Sequence, residues 1–545
     1  MRERLRVFAA VFRDPNLLRI ELAYAGFNMT EYATWVAILV FAYNRGGATM
    51  AGLVAMIQLI PSAIVAPLAS YAGDRFRRDR VLLIDYVVQA VSILITAAGL
   101  FAHAPIPLIY GMAAVAAASL TFTRPAMGSL LPAVTETPED LTAANVASGV
   151  IENAGIFAGP FLAGLILTSF GPGAVFAVFG GITAIGALLT WRLDADPAAV
   201  TPKERVQAEA VWRETLAGFR VLRRERDPRL LVMLTSVELV VWGALDILFV
   251  AAAIDLLGMG NSGAGYLSSA FGAGGVVGAG AAVLLVGRRG LTPPLALGSL
   301  LFGFPICAVA TASVITAPVM FAVSGGGRAV GDVASHTLLQ RISPDEVLSR
   351  VFGVVEGIAM LALAVGSVGA SALVAAFGIK TALIVAGALM PAAVLVTWRH
   401  LLAIDAEAPA PDAAALALLR RIPIFAPLSA PAIERVMAHL VAVEAGPGDV
   451  IIRQGDAGDR FYVVAEGQAE VTIDGSPVTD RTTGDYFGEI ALLRDVPRIA
   501  TVTARTRMKL HALDRDPFLE AVTGHPQSVE AADAVVRERL GDGPS

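Results

Sequence analysis

From about Leu17 to Ile404 the chain is a succession of apolar stretches separated by short polar breaks. Each stretch holds roughly 20 or more residues, enough for a helix to cross the hydrocarbon core of a bilayer. About twelve are predicted: 17–43, 48–72, 80–103, 105–127, 141–169, 172–192, 229–257, 262–286, 291–312, 314–334, 346–376 and 379–401. After Leu401 the pattern stops. An Ala/Pro/acidic linker, Asp405 to Asp412, leads to an amphipathic helix expected near 428–441. Short β-type runs broken by glycine follow: 450–452, 461–464, 469–473, 501–503 and 510–513. Strands at that spacing predict a small β-roll, with Gly448, Gly455, Gly458, Gly467 and Gly484 at the tight turns.

Composition agrees with a lipid-embedded first part. The 545 residues are 56% hydrophobic and only 16% charged, with a mean hydropathy of +0.67, where a soluble chain is nearer a quarter charged. The opening MRERLRVFAAVFRDP has no small-residue cleavage site and reads as a cytoplasmic amphipathic lead-in rather than a signal peptide. A net charge of −6 without a long basic run argues against nucleic acid as a partner. The single cysteine, Cys307, lies in an apolar stretch and reads as a small core residue. No nucleophile–base pair, metal cluster or P-loop pattern stands out, so an enzyme is not expected.

Charge also orients the spans. One series of loops carries Arg75, Arg77, Arg78 and Arg80, the segment 193–228, Arg288 and Arg289, and Arg341 and Arg350. The alternate loops are nearly bare, with Arg45 and Lys380 the main exceptions. Positive residues stay inside, which predicts an inner-membrane protein with both termini in the cytoplasm.

The chain also repeats itself. Arg13-Asp14-Pro15-Asn16-Leu17-Leu18 recurs as Arg226-Asp227-Pro228-Arg229-Leu230-Leu231, a shift of 213 that also takes Ala51-Gly52-Leu53 onto Ala264-Gly265-Tyr266. Arg124 and Glu152 are 28 apart, as are Arg328 and Glu356, and Gly149-Val150-Ile151-Glu152 reappears as Gly353-Val354-Val355-Glu356. Several matches in order argue for a duplicated bundle, six spans to each half.

On these residues the chain resembles the major facilitator superfamily. The loop Ser70-Tyr71-Ala72-Gly73-Asp74-Arg75-Phe76-Arg77-Arg78 looks like that family's Gly-x-x-x-Asp-Arg-x-Gly-Arg-Arg signature, with Asp74, Arg75 and Arg78 in place and Ser70 and Arg77 where glycines are usual. The resemblance implies a cytoplasmic latch between the halves; the same charges also serve as a topology signal. In the fifth span, Gly155, Gly159, Pro160 and Gly164 resemble the Gly-x-x-x-Gly-Pro-x-x-Gly-Gly element of proton-coupled exporters, with Ala163 replacing one glycine. Small residues there allow close helix approach, and Pro160 permits a bend.

Ionisable groups inside a bilayer are costly, so their places carry information. Glu31 lies mid-way along the first span, flanked one turn away by Asn28 and Trp35, and Asp246 sits at a similar depth in the seventh. In the family, spans one, four, seven and ten line the central path, which makes Glu31 and Asp246 the leading proton or substrate sites. Glu238 is a further, less centred candidate. The matched pair Glu152 and Glu356 reads as structural, each toward an arginine of a neighbouring helix, with transport as the other reading. Arg124 and Arg328 are expected near the cytoplasmic ends, snorkelling or bridging to loops.

In the C-terminal part, Phe487-Gly488-Glu489-Ile490-Ala491-Leu492-Leu493 followed by Pro497-Arg498-Ile499-Ala500-Thr501-Val502 closely resembles the phosphate-binding cassette of cyclic-nucleotide-binding domains, over about 416–540. The resemblance implies that Gly488 and the amides of Ile490 and Ala491 approach the cyclic phosphate, that Arg498 forks onto it, that Glu489 accepts from the ribose 2′-hydroxyl, and that Ala500 adds a close backbone contact. In that family a hydroxyl residue after the arginine favours guanine. Ile499 provides none, so cyclic AMP is favoured and cyclic GMP left open. Motion of a lid helix near 527–540 is the family's usual switch.

The reading is therefore an all-α bundle of twelve transmembrane helices joined to a β-roll with flanking helices. Its parts are 1–192, a cytoplasmic segment 193–228, 229–402, a linker 403–415, and 416–545. It predicts a secondary transporter exporting a small amphipathic molecule against protons, with cyclic nucleotide as regulatory ligand and no cofactor. The alternative is a membrane-anchored nucleotide receptor without transport. A channel is disfavoured by the two-half repeat and the lack of a filter sequence. Substrate, oligomeric state and the sign of regulation are not legible.

Overall fold

The computed structural model describes residues 14–75, 77–134, 138–191, 226–282, 290–342, 345–407, 413–428, 439–523 and 526–540, with a few single residues between. They form two compact units, a helical one ending at Ala408 and a C-terminal one beginning at Pro409.

The helical unit comprises α1 (Pro15–Arg75), α2 (Arg78–Phe101), α3 (Ile106–Val134), α4 (Pro138–Ser169), α5 (Gly171–Trp191), α6 (Arg226–Ala251, continued by a π-helical turn Ala252–Leu256), α7 (Gly260–Ala282), α8 (Thr292–Val309), α9 (Thr316–Ile342) and α10 (Asp345–Glu407). Among the described residues, eight helices are long and apolar enough to cross a membrane. The glycine-rich α7 and the charge-bearing α9 are not in that set. Two expected pairs of spans join into one run. α1 breaks at Gly47 (φ 62°) and α10 at Gly378 (φ 79°), left-handed conformations that only glycine adopts without cost. Many large apolar side chains on these helices, including Leu395, Val396, Ile64 and Val277, are turned outward, as a lipid-facing surface requires.

Glycine sets where the helices meet. A Cβ on Gly155 would lie 2.5 Å from Asn28 Cβ, and one on Gly159 would lie 2.6 Å from Met29 O, so α4 crosses the first half of α1 beside Glu31. The second half has its own version: Gly366 in α10 leaves 1.9 Å to Val240 O, Gly243 in α6 leaves 2.1 Å to Leu363 O, and Ser367 Oγ donates to Gly243 O at 2.8 Å. The two halves also touch each other. Gly265 of α7 lies against Pro160 O and Gly164, Ser269 Oγ donates to Phe157 O at 3.0 Å, and Gly52 of α1 lies against Ser371 of α10. At the end of α1 before its break, the Tyr43 hydroxyl donates to Asp255, and Asn44 Nδ2 donates to Asn261 Oδ1 at 2.8 Å.

The C-terminal unit comprises α11 (Ala413–Leu419), β1 (Val441–Ala445), β2 (Val450–Ile452), β3 (Arg460–Glu466), β4 (Gln468–Ile473), β5 (Ser476–Thr482), β6 (Tyr486–Phe487), α12 (Glu489–Arg494), β7 (Thr501–Ala504), β8 (Met508–Asp514), α13 (Arg515–Thr523) and α14 (Pro526–Leu540). Two antiparallel four-stranded sheets, ordered β1-β8-β3-β6 and β2-β7-β4-β5, form the roll. Between them lie Tyr462, Val464, Val471, Phe487, Val502 and Leu510, while Phe425, Phe461 and Phe518 pack beneath the helices. Half of the helix expected near 428–441 falls outside the described residues; Ile433, Val436 and Met437 are helical, but Val441 already opens β1, and the N-terminal lead-in up to residue 13 is not described. Strands β1, β5 and β6 had no clear signal in the apolar pattern; β5 is almost wholly exposed.

Candidate functional sites

In the first half, Arg124 on α3 reaches across to Glu31 on α1 with two hydrogen bonds, Nη1–Oε1 3.1 Å and Nη2–Oε2 2.8 Å. Its Nε also donates to Glu152 Oε1 at 3.4 Å. A planar guanidinium suits this fork onto one carboxylate with a second acid on its edge. Snorkelling was expected for Arg124; instead it is the centre of a three-residue charge cluster, because Gly155 and Gly159 bring α4 against α1 at that level. Tyr32 stands within electrostatic reach of Glu31, Arg124 and Glu152, and also of Arg328 from the second half.

Arg328 on α9 is likewise drawn inward. Its Nε lies 3.0 Å from Glu238 Oε1 on α6, an ion pair whose N–H does not point at the oxygen, so charge attraction rather than a directed hydrogen bond holds it. The guanidinium also stacks 3.9 Å from the centre of the Trp242 ring. One and two turns on, Asp332 pairs with His336 at 3.0 Å. Among the described residues the acid that meets the second arginine is therefore Glu238, whereas the repeat points to Glu356. Among the described residues Asp246 meets no cation: its partner is the Trp35 indole of α1. Trp35 thus joins the two halves, and Asn28 turns its amide to Tyr24 O at 2.9 Å, so neither flanks Glu31 as a ligand. Glu356, Asp74 and Arg75 have side chains outside the described residues, while Arg78 opens α2 beside the Arg77–Asp79 pair. Gly164 packs on Ser262 O and Tyr266.

In the C-terminal unit the turn before α12 depends on Gly488, whose φ of 92° is left-handed. A Cβ there would meet Arg498 Nη1 at 2.8 Å and Arg460 O at 2.9 Å. Arg498, 4% exposed, donates from Nη1 to Gly488 O (2.9 Å) and from Nη2 to Asp459 Oδ1 (2.9 Å) and Arg460 O (2.7 Å). These bonds fix the guanidinium plane under the turn. Ile490 and Ala491 are buried in α12, and Ile499 and Ala500 are half-buried on the way into β7. A Cβ on Gly458 would meet Ala491 at 2.8 Å, so the loop before β3 also closes on this helix.

Glu489 is 1% exposed, and only one of its oxygens is used: Oε1 accepts from Arg539 Nη1 at 2.7 Å, while Oε2 is buried with no partner. A ribose hydroxyl is a donor suited to that oxygen, and the glycine turn and anchored arginine suit a cyclic phosphate. The residues fit a cyclic nucleotide. Arg539, on the C-terminal helix α14, also donates to Tyr486 O at 3.1 Å and lies 4.3 Å from the Tyr486 ring centre. No sequence signal marked it, since a basic residue in a last helical turn is ordinary.

Burial pushes the Glu489 carboxyl above the usual range, and Arg539 opposes that shift. Protonation of Glu489 removes the charge that strengthens its bond from a ribose hydroxyl and turns one oxygen into a donor. Affinity for cyclic nucleotide is therefore expected to fall on acidification, and at a higher pH than an ordinary glutamate dictates. For folding the sign is opposite: a raised folded pKa contributes stability below the ordinary value of about 4.3, lost as pH rises through the folded one. Calorimetric titration of the full chain with cyclic AMP from pH 8 downward checks the binding limb.

Residues 20–288 and 234–443 match the family model of the Major Facilitator Superfamily, and residues 442–525 that of the cyclic nucleotide-binding domain. The cAMP-dependent protein kinase regulatory subunit of Yarrowia lipolytica is 43% identical over 102 residues, 18% of this chain and 27% of that protein. That of Schizosaccharomyces pombe is 41% identical over 102 residues, 18% of this chain and 25% of that protein. The chain spans about a quarter of the length of these curated relatives. A solved structure of the regulatory domain of Toxoplasma gondii PKA with cAMP is 29% identical, covering 23% of this chain and 48% of that one, with a TM-score of 0.21.

Proposed function

We propose, from the premise that the chain belongs to the major facilitator superfamily, that it is a proton-coupled exporter of a small amphipathic molecule, regulated by cyclic AMP bound to its C-terminal domain. It crosses the inner membrane twelve times, as two six-span halves up to about residue 402, with both termini and the domain from about residue 416 in the cytoplasm. Asp74, Arg75 and Arg78 form the latch on that side; Gly155 and Gly159 hold the fifth span against the first, while Pro160 and Gly164 meet Gly265 and Tyr266 of the second half.

One observation carries the reading: charged groups inside the helical unit share a chain with an anchored Arg498 and a half-satisfied, buried Glu489. A membrane anchor alone has no use for the former. Glu31 and Glu152 stand on Arg124, whereas Asp246 meets a neutral indole, so Asp246 is the acid of the seventh span best placed to exchange a proton. Cyclic AMP is favoured over cyclic GMP by Ile499, which offers no hydroxyl to guanine, and by the cAMP-dependent relatives of the domain.

The test uses inverted vesicles holding the full chain and an imposed proton gradient, read by acridine orange while a panel of amphipathic compounds is added. Wild type is expected to dissipate the gradient with at least one compound, and cyclic AMP to change the rate. Asp246→Asn is expected to abolish the response and Glu31→Gln to weaken it. Wild-type behaviour in both variants overturns the coupling assignment.

A further inference from the structure

Among the described intramembrane acids already discussed, Glu31, Glu152 and Glu238 each stand on an arginine. Like Asp246, which meets the Trp35 indole, Asp85 has no such partner among the described residues. It lies seven residues into α2, roughly 10 Å from the start of that helix, and is 5% exposed. Two neutral groups meet it, the Thr123 hydroxyl of α3, which donates to Oδ2 at 2.6 Å, and the Gln89 amide one turn along its own helix. Gln89 Nε2 in turn donates to Thr123 Oγ1 at 2.9 Å. Thr123 thus spends its one hydrogen on Asp85 and receives one from Gln89.

What remains is unbalanced. Asp85 Oδ1 and Gln89 Oε1 are both buried acceptors with no partner, and the Tyr86 hydroxyl beside them has none either. The charged groups nearby do not help. Among the described residues Tyr86 interacts with Asp85 and with Glu21 and Tyr24 of α1, and with no cation. Glu21 is itself buried, bonded only to Ser148 Oγ at 2.6 Å, with Oε2 unpartnered. Arg124, next to Thr123 on α3, is turned to Glu31. From α5, which packs on α2, no titratable residue comes. A buried carboxylate anion needs a cation or donors to both oxygens, and among the described residues this one has no cation and Oδ1 has no donor. One proton on Oδ1 removes the charge and turns an orphan acceptor into a donor, on the same helix face as the orphan acceptor Gln89 Oε1.

We propose that Asp85, seated on Thr123 and Gln89, is a second proton-binding site of the first half, distinct from the Arg124 cluster and reversibly occupied during transport. The role in transport rests on the transporter reading above; the site itself does not. The step transfers one proton from water to Asp85 Oδ1 and returns it, with no other bond made or broken.

The test is infrared spectroscopy of the full chain in phosphatidylethanolamine–phosphatidylglycerol membranes, in H2O and D2O, between about pH 5 and pH 9. A protonated-carboxyl C=O band is expected to titrate in that range. Asp85→Asn removes one such band, Thr123→Val shifts it to higher frequency by deleting a hydrogen bond, and Asp246→Asn leaves it in place. In the dye assay Asp85→Asn flattens the pH dependence of transport. If Asp85→Asn leaves every carboxyl band unchanged, or if the band answers to sodium chloride at fixed pH instead of to pH, the proton site is wrong. If wild type moves no compound while the Asp85 band still titrates, the transporter reading fails and the proton site stands.

Discussion

Replacing Arg328 with methionine is expected to lower the stability of the full chain in detergent by about 3 kcal/mol, the cost of leaving a buried acid without its partner. Glu238 is 4% exposed and the arginine is its only cation among the described ion pairs. Methionine fills much of the aliphatic stem's volume and still packs on Trp242, so lost charge rather than lost volume dominates. A second substitution, Glu238→Gln, is expected to restore most of the loss, because it removes the stranded charge. Denaturant or heat unfolding of wild type, both single variants and the double variant closes the cycle. A double variant no more stable than Arg328→Met shows that the pair does not couple. The corresponding change at Arg124 is expected to cost less, since that guanidinium is more exposed and Glu31 and Glu152 both retain some access to water.

The second large effect concerns nucleotide. Arg498→Ala is expected to weaken cyclic AMP binding by about 10- to 100-fold, the loss of roughly 1.5–3 kcal/mol in charge-assisted hydrogen bonds. Arg498 also satisfies Gly488 O and Arg460 O, so the alanine variant loosens the glycine turn as well as removing a phosphate ligand. Arg498→Lys separates the two. It keeps the charge and loses the fork, and is expected to bind between wild type and alanine. Asp459 holds Arg498 from an exposed position, 73% accessible at its side chain, so Asp459→Ala is expected to change affinity only slightly. Calorimetry on the full chain decides; unchanged affinity in Arg498→Ala removes Arg498 from the phosphate site.

The pattern of apolar runs was enough to place the helices, because crossing a bilayer requires long uninterrupted stretches whatever their neighbours. The cassette was legible too: Gly488, Glu489 and Arg498 lie within eleven residues, and their spacing is local. Helix rotation was not. α1 and α6 are apolar on nearly every face, so nothing in their periodicity says which side Glu31 or Glu238 presents. The pairing of Glu238 with Arg328 follows from packing across 90 residues of separation, whereas the repeat pointed to Glu356 as the acid facing that arginine. Asp85 carries no local signal either, because its partner Thr123 lies 38 residues on in another helix. Arg539 and Asp459 were invisible for a different reason, being ordinary surface-type residues made important only by what they touch.

The glycine contacts of α4 bear on how mutational data for this protein are to be read. At Gly155 and Gly159 the first carbon of any side chain collides with Asn28 or with the Met29 carbonyl, so a saturation screen is expected to reject alanine there almost as firmly as aspartate. Intolerance at those two positions then reports spacing between neighbours and says nothing about cargo. Chemical preference is better sought at Tyr32, which stands beside the crossing and is already large, where substitutions alter polarity without forcing the helices apart.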